Sequence, residues 1–96
     1  MKPSEALNEH RESIKKVVAE HRAANARVFG SVLTGCNTEE SDLDLIVDPQ
    51  AGMTLLDIGA IRHKLRKLLG VKVDVLTPLS LTETVRSEVL AKAEPL

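Results

Sequence analysis

The chain has 96 residues, a formal net charge of -1 and 43% hydrophobic residues, which fits one small domain, residues 1–96, around an aliphatic core. Phe29 is the sole aromatic, with no Trp or Tyr beside it. That scarcity, with the near-neutral charge, argues against base-stacking nucleic-acid modules and against direct binding of nucleic acid. The lone Cys36 leaves no disulfide framework or Cys-based zinc site and suits the cytoplasm. The charged N-terminus has no signal-like core and no apolar run is long enough to span a bilayer, so no membrane role is expected.

Taken in chain order, residues 4–22 read as one helix. Ser4 caps it, and Leu7, Ile14, Val17, Val18 and His21 lie along one stripe of a 3.6-residue period. Asn25 is expected to end it, and residues 26–29 form a short strand running into Gly30. Residues 42–47 form a second strand closed by Asp48 and Pro49, with Gly52 in the turn beyond. A helix follows, with Thr54 and Asp57 as a capping box and Gly70 at the left-handed C-cap. Its apolar face is read as Leu55, Leu56, Ile58, Ile61, Leu65, Leu68 and Leu69. Residues 71–76 give a third strand, stopped by Pro78. Ser80 and Glu83 repeat the capping pattern before a last helix to about Lys92, and Pro95 ends the order. The expectation is an α/β (α+β) sandwich, a small mixed β-sheet of about three strands with helices packed on it.

Strand side chains alternate between faces. Leu43, Leu45 and Val47 therefore share one face, and Asp42 and Asp44 the other, with Cα atoms roughly 7 Å apart at the usual strand rise. The strand around Val73 and Val75 repeats this logic and puts Asp74 opposite its valines, with Lys72. If the strands are neighbours, three carboxylates meet on one surface, where their mutual repulsion calls for a proton or a divalent cation. Hard oxygen donors of this kind suit magnesium, which keeps a place for substrate phosphates. One or two such ions would align a nucleoside triphosphate for displacement at phosphorus, with Asp42 and Asp44 as ligands. Asp74 could hold one ion and accept the proton of an attacking hydroxyl. Gly30 and Ser31 can offer backbone N–H groups and a hydroxyl to phosphate oxygens, while Gly35, Asn37, Thr38 and Ser41 suit a loop with tight turns. No Gly-Lys-Ser/Thr follows, so this is not a P-loop, and the acidic run does not fit an EF-hand.

Gly-Ser, ten intervening residues, Asp-x-Asp and a later third Asp resemble the nucleotidyltransferase superfamily that includes DNA polymerase beta. At this length the chain looks like a minimal nucleotidyltransferase (MNT) domain, and the resemblance covers nearly all of it. It implies the nucleotidyltransferase fold and magnesium-dependent transfer of a nucleoside monophosphate, usually AMP from ATP, with release of pyrophosphate. By position Gly30 and Ser31 match the phosphate-binding turn, Asp42 and Asp44 the metal pair and Asp74 the third carboxylate. Relatives of this size commonly act as the antitoxin beside a helical HEPN-domain toxin, and some attach AMP to a tyrosine of that toxin. The family loop reads Gly-Ser-x-Ala-Arg-Gly, and here Thr34 stands in place of the arginine. That removes a cation from the loop and leaves the carboxylates untouched.

Plainer readings exist for each feature. Asp42 and Asp44 could be a solvated strand start, Asp74 an exposed strand residue and Ser31 a helix cap that also meets phosphate. Asp48 reads as a turn former, and Arg62, His63, Lys64, Arg66 and Lys67 as the solvated end of a helix. His10, His21 and His63 have no partner at ligand spacing, Cys36 has no activating neighbour, and Arg27 could pair with an acid or approach a nucleotide. An alternative function is a catalytically weak or inactive MNT-fold antitoxin that neutralises its partner by binding alone. A third is a small-molecule nucleotidyltransferase completed by a second subunit. Leu81, Val85, Val89 and Leu90 serve as core or interface, which leaves a homo- or hetero-oligomer open.

Overall fold

The computed structural model describes residues 2–96. In order they form α1 (Pro3–Glu9), α2 (Arg11–Glu20), β1 (Ala23–Phe29), α3 (Ser31–Thr34), β2 (Leu43–Pro49) and α4 (Leu55–Leu69). These are followed by β3 (Val73–Leu76), a 3-10 turn (Pro78–Ser80), α5 (Glu83–Lys92) and β4 (Glu94–Pro95). The strands make one mixed sheet in the order β3-β2-β1-β4. β2 and β3 run parallel, joined through α4, while β1 is antiparallel to both β2 and β4. This is the expected α/β sandwich with a small mixed sheet, with four strands where about three were read. The fourth comes from the tail. Glu94 and Pro95 lie against Val28 and Arg27, and the Leu96 N–H donates to the Ala26 carbonyl at 3.2 Å. Pro95 does not end the order, because an edge strand tolerates the missing N–H.

The N-terminal helix is two helices. His10 leaves the helical region at φ -124, ψ 23, and the break lets α1 reach β2 while α2 packs on β1 and α4. Periodicity alone could not show this, since both pieces keep the same spacing. Glu5, not Ser4, caps the start by accepting the Lys2 N–H at 3.0 Å, with Pro3 in the first turn. Asn25 lies inside β1 rather than at a helix end. Its φ of 52 accompanies a register shift between Ala24 and Arg27, a bulge that its side chain braces by donating to Asp48 at 2.9 Å. Arg27 also binds Asp48, at 2.6 Å, which settles its partner as an acid.

α4 follows the reading of its ends. The Thr54 N–H donates to Asp57 at 2.9 Å, and Gly70 closes the helix at φ 69 with its N–H on the Arg66 carbonyl. Its apolar face is narrower than expected. Ile61, Leu65 and Leu69 are buried, whereas Leu55 and Leu56 are 88% and 85% exposed. Leu56 falls off the stripe, and Leu55 overhangs toward the 3-10 turn in the first helical turn. Thr82 stands at the N-cap position of α5 without a side-chain capping bond, while the Ser80 hydroxyl donates to the Thr77 carbonyl in the 3-10 turn at 2.7 Å. No residue of α5 is fully buried, and Arg86 ties it to the Pro78 and Leu81 carbonyls at 2.7 and 2.9 Å.

Alternation along the strands separates the faces of the sheet. Val28, Leu43, Leu45, Val47, Val73 and Val75 join Ile14, Val18, Ile61 and Leu65 in the core. The opposite face carries Phe29, Asp44 and Asp74 in one row and Arg27, Ile46 and Leu76 in the next. Among the described residues no helix is long and apolar enough to cross a membrane. Leu65→Ala is expected to cost about 2–5 kcal/mol in urea denaturation, as a buried core leucine does. Leu55→Ala should stay within about 0.5 kcal/mol, as an exposed position does.

Candidate functional site

The parallel register of β2 and β3 sets Asp44 directly opposite Asp74. In the antiparallel register with β1, Asp44 also lies opposite Phe29, the last residue before Gly30. Both aspartates are half-buried. Asp42 is exposed and stands just ahead of β2, which begins where the Leu43 N–H donates to the Lys72 carbonyl at 2.8 Å. Asp44 and Asp74 thus project together from neighbouring strands, and Asp42 contributes from the approach to the strand.

Gly30 connects this row to the loop. Its φ of 80 belongs to the region glycine favours, and a Cβ there would run into the Asp44 carboxylate oxygen. The absent side chain is the room in which that carboxylate sits. Gly30 then opens α3, whose single turn is closed by the Thr34 N–H on the Gly30 carbonyl and by Gly35 at φ 75. Thr34 donates its hydroxyl to the Ser31 carbonyl at 3.2 Å. It caps the turn and brings no charge. Cys36 is exposed in the same loop.

Burial, and then the charges of Asp74 and Asp42, push the Asp44 carboxyl from its ordinary 3.8 to about 6. The ion pairs Arg27–Asp48 and Lys15–Glu12 and the contacts His10–Glu9 and His21–Asp57 engage other carboxylates. Among the described residues no three His, Cys, Asp or Glu side chains close into a ready-made metal cage. The donor chemistry still fits magnesium. Half-buried hard oxygens repelling one another gain from a cation, and that ion commonly takes one or two protein carboxylates, completing its shell with water and phosphate. Asp42, Asp44 and Asp74 are therefore candidate ligands, and Gly30 and Ser31 a candidate phosphate turn beside them.

Phe29 is a neighbour that the sequence reading missed. The sequence marks it as the lone aromatic and a strand end, and it stands in the same row as the two paired aspartates. Strand alternation could have placed it there, since Val28 faces the core and Phe29 must face away from it. The basic group of α4 behaves as read, with Arg62, His63, Lys64 and Lys67 exposed, while Arg66 binds the Val73 carbonyl at 3.1 Å.

A carboxyl with a raised folded pKa holds its proton more tightly in the folded chain. Asp44 therefore supports folding fully below pH 3.8 and loses that support as the pH rises through about 6. Asp44→Asn should raise the metal-free melting temperature at pH 7.5 by on the order of a few degrees. The difference should vanish near pH 4, and thermal denaturation at both pH values measures it. Gly30→Ala should destabilise the protein by on the order of 1–3 kcal/mol through the forced φ and the collision. Adding Asp44→Ala should recover part of that loss in a double-mutant cycle.

Residues 7–95 match the family described as nucleotidyltransferase domain. A Methanocaldococcus jannaschii protein provisionally named a protein adenylyltransferase is 32% identical over 87 residues, covering 91% of this chain and 94% of that protein. A solved structure provisionally named a minimal nucleotidyltransferase is 43% identical, with a TM-score of 0.88 over 97% of this chain and 95% of the other. A toxin–antitoxin structure with AMP-PNP shares the fold at a TM-score of 0.74 and 20% identity, covering 88% of this chain and 69% of that one.

Proposed function

Because the chain belongs to the nucleotidyltransferase domain family, we propose that it is a magnesium-dependent protein adenylyltransferase. It moves AMP from ATP to a hydroxyl, a tyrosine, of a HEPN-family toxin and so acts in the cytoplasm as that toxin's antitoxin. The observation that carries this reading is the row in which Asp44 faces Asp74 across β2 and β3 while resting against the bare Cα of Gly30. Relatives named protein adenylyltransferases support the reaction class, and a neighbour crystallised as a toxin–antitoxin complex with AMP-PNP supports the partner and nucleotide.

Asp42 and Asp44 would hold the metal, with Asp74 able to share it. Magnesium, when bound, neutralises the phosphate oxygens and stabilises charge at the α-phosphorus. Gly30 and Ser31 orient the triphosphate through backbone N–H groups and the serine hydroxyl. The acceptor oxygen bonds to the α-phosphorus as the bond to the bridging oxygen breaks. Asp74 takes the hydroxyl proton, and pyrophosphate carries away the bonding electrons. The acceptor is presented by the partner protein.

The second reading is an antitoxin that neutralises by binding alone. It draws on Thr34, which spends its hydroxyl on capping α3 where the family places a cation. Incubation with the partner, ATP and magnesium separates the two. The adenylyltransferase reading expects the partner's mass to rise by one AMP, and expects Asp42→Asn with Asp44→Asn to abolish that rise. A partner that is neutralised yet unmodified gives the answer to binding alone. Transfer to a metabolite without any protein acceptor would instead favour a small-molecule enzyme.

A further inference from the structure

Phe29 leaves β1 on the carboxylate face, in the row of Asp44 and Asp74. Beside it opens a cavity of about 270 Å³, bounded by Gly30 and Leu33 at the α3 end and by Val89 on α5. Phe29, Leu33 and Val89 give it apolar lining, and Thr34, Glu88 and Lys92 polar lining. Gly30 belongs to this cavity and also touches the Asp44 carboxylate, so the hollow and the candidate metal site share a wall. Larger hollows of about 390, 480 and 500 Å³, near Lys15 and Ala23, near Ser41 and Lys72, and near Met53 and Leu79, share none of these residues.

We propose that the Phe29–Leu33–Val89 cavity takes the nucleobase of the bound nucleoside triphosphate, with Phe29 as its stacking platform. The proposal rests on the nucleotidyltransferase reading and adds to it a residue that selects nucleotide over bare polyphosphate. Size supports one ring system. The volume falls below the roughly 300–1,000 Å³ of pockets that enclose a whole drug-sized ligand. Chemistry supports a base in particular, since an aromatic face and two aliphatic walls suit a flat ring. A hydroxyl, a carboxylate and an ammonium in the same lining can meet its polar edge. The shared Gly30 wall supports continuity, because a base seated here has its phosphates directed toward Ser31 and Asp44.

Calorimetric titration of the intact chain with ATP and with inorganic tripolyphosphate, both in magnesium, provides the test. The wild type is expected to bind ATP more tightly than tripolyphosphate by about tenfold or more, the scale of base–aromatic stacking. Phe29→Leu should erase that preference by weakening ATP while tripolyphosphate stays within about twofold, and circular dichroism establishes that the variant is folded. Leu33→Ala supplies a second variant on the opposite wall and should reduce the preference in the same direction. Equal affinity for the two ligands in the wild type, or an unchanged preference in both variants, overturns the base site and leaves the transfer reading standing. Failure to bind either ligand, with or without the aspartates, overturns the nucleotidyltransferase reading and the base site with it.

Discussion

Carboxylate repulsion between neighbouring strands is the constraint around which this small protein is arranged. A one-residue slip between β2 and β3 would turn Val73 and Val75 away from the core they share with Leu43 and Leu45. The same register forces Asp44 against Asp74 on the opposite face. Apolar burial on one side thus holds two acids together on the other, where desolvation first and then the neighbouring acids raise the Asp44 pKa. A fold that keeps such a pair stores a demand for positive charge, which a metal ion carrying phosphates can satisfy.

The surroundings of the pair are shaped by the same economy of space. Gly30 has no side chain, so Asp44 can sit against its Cα, and its positive φ turns β1 sharply into α3. Thr34 and Gly35 then close that helix after one turn. The bulge at Asn25 and the Arg27–Asp48 pair lie further back along the same two strands, where they brace β1 against β2. Arg27 is thereby committed to structure, at an ion pair that partial burial protects from screening. α5 contributes differently. It is bound through Arg86 and a few apolar contacts, so it borders the carboxylate face without sealing it.

Much of this was legible from residue order. The ends of α4 were readable because Thr54, Asp57 and Gly70 act locally, through bonds to backbone within a few residues. The face shared by Asp44 and Asp74 followed from strand alternation, which is equally local. The break at His10 was not readable, because it serves two different packing partners, β2 for α1 and β1 with α4 for α2. Leu55 and Leu56 fit a hydrophobic stripe in composition yet protrude, since burial depends on where the sheet ends beneath the helix. The edge strand at Glu94 was likewise invisible, since two residues with one proline carry no strand signal of their own.

What the sequence by itself determined is the chemistry. The carboxylates, the Gly-Ser turn and the aliphatic alternation are properties of residue type and spacing, and local sterics translate them directly into strands, caps and faces. Tertiary structure alone decided which groups meet: Asp44 with Asp74 rather than with a cation, Gly30 beneath a carboxylate, and Phe29 beside Leu33 and Val89. Those meetings join segments far apart in the chain. Their positions are fixed by sheet register and by the common burial of the opposite face, and no single segment contains that information.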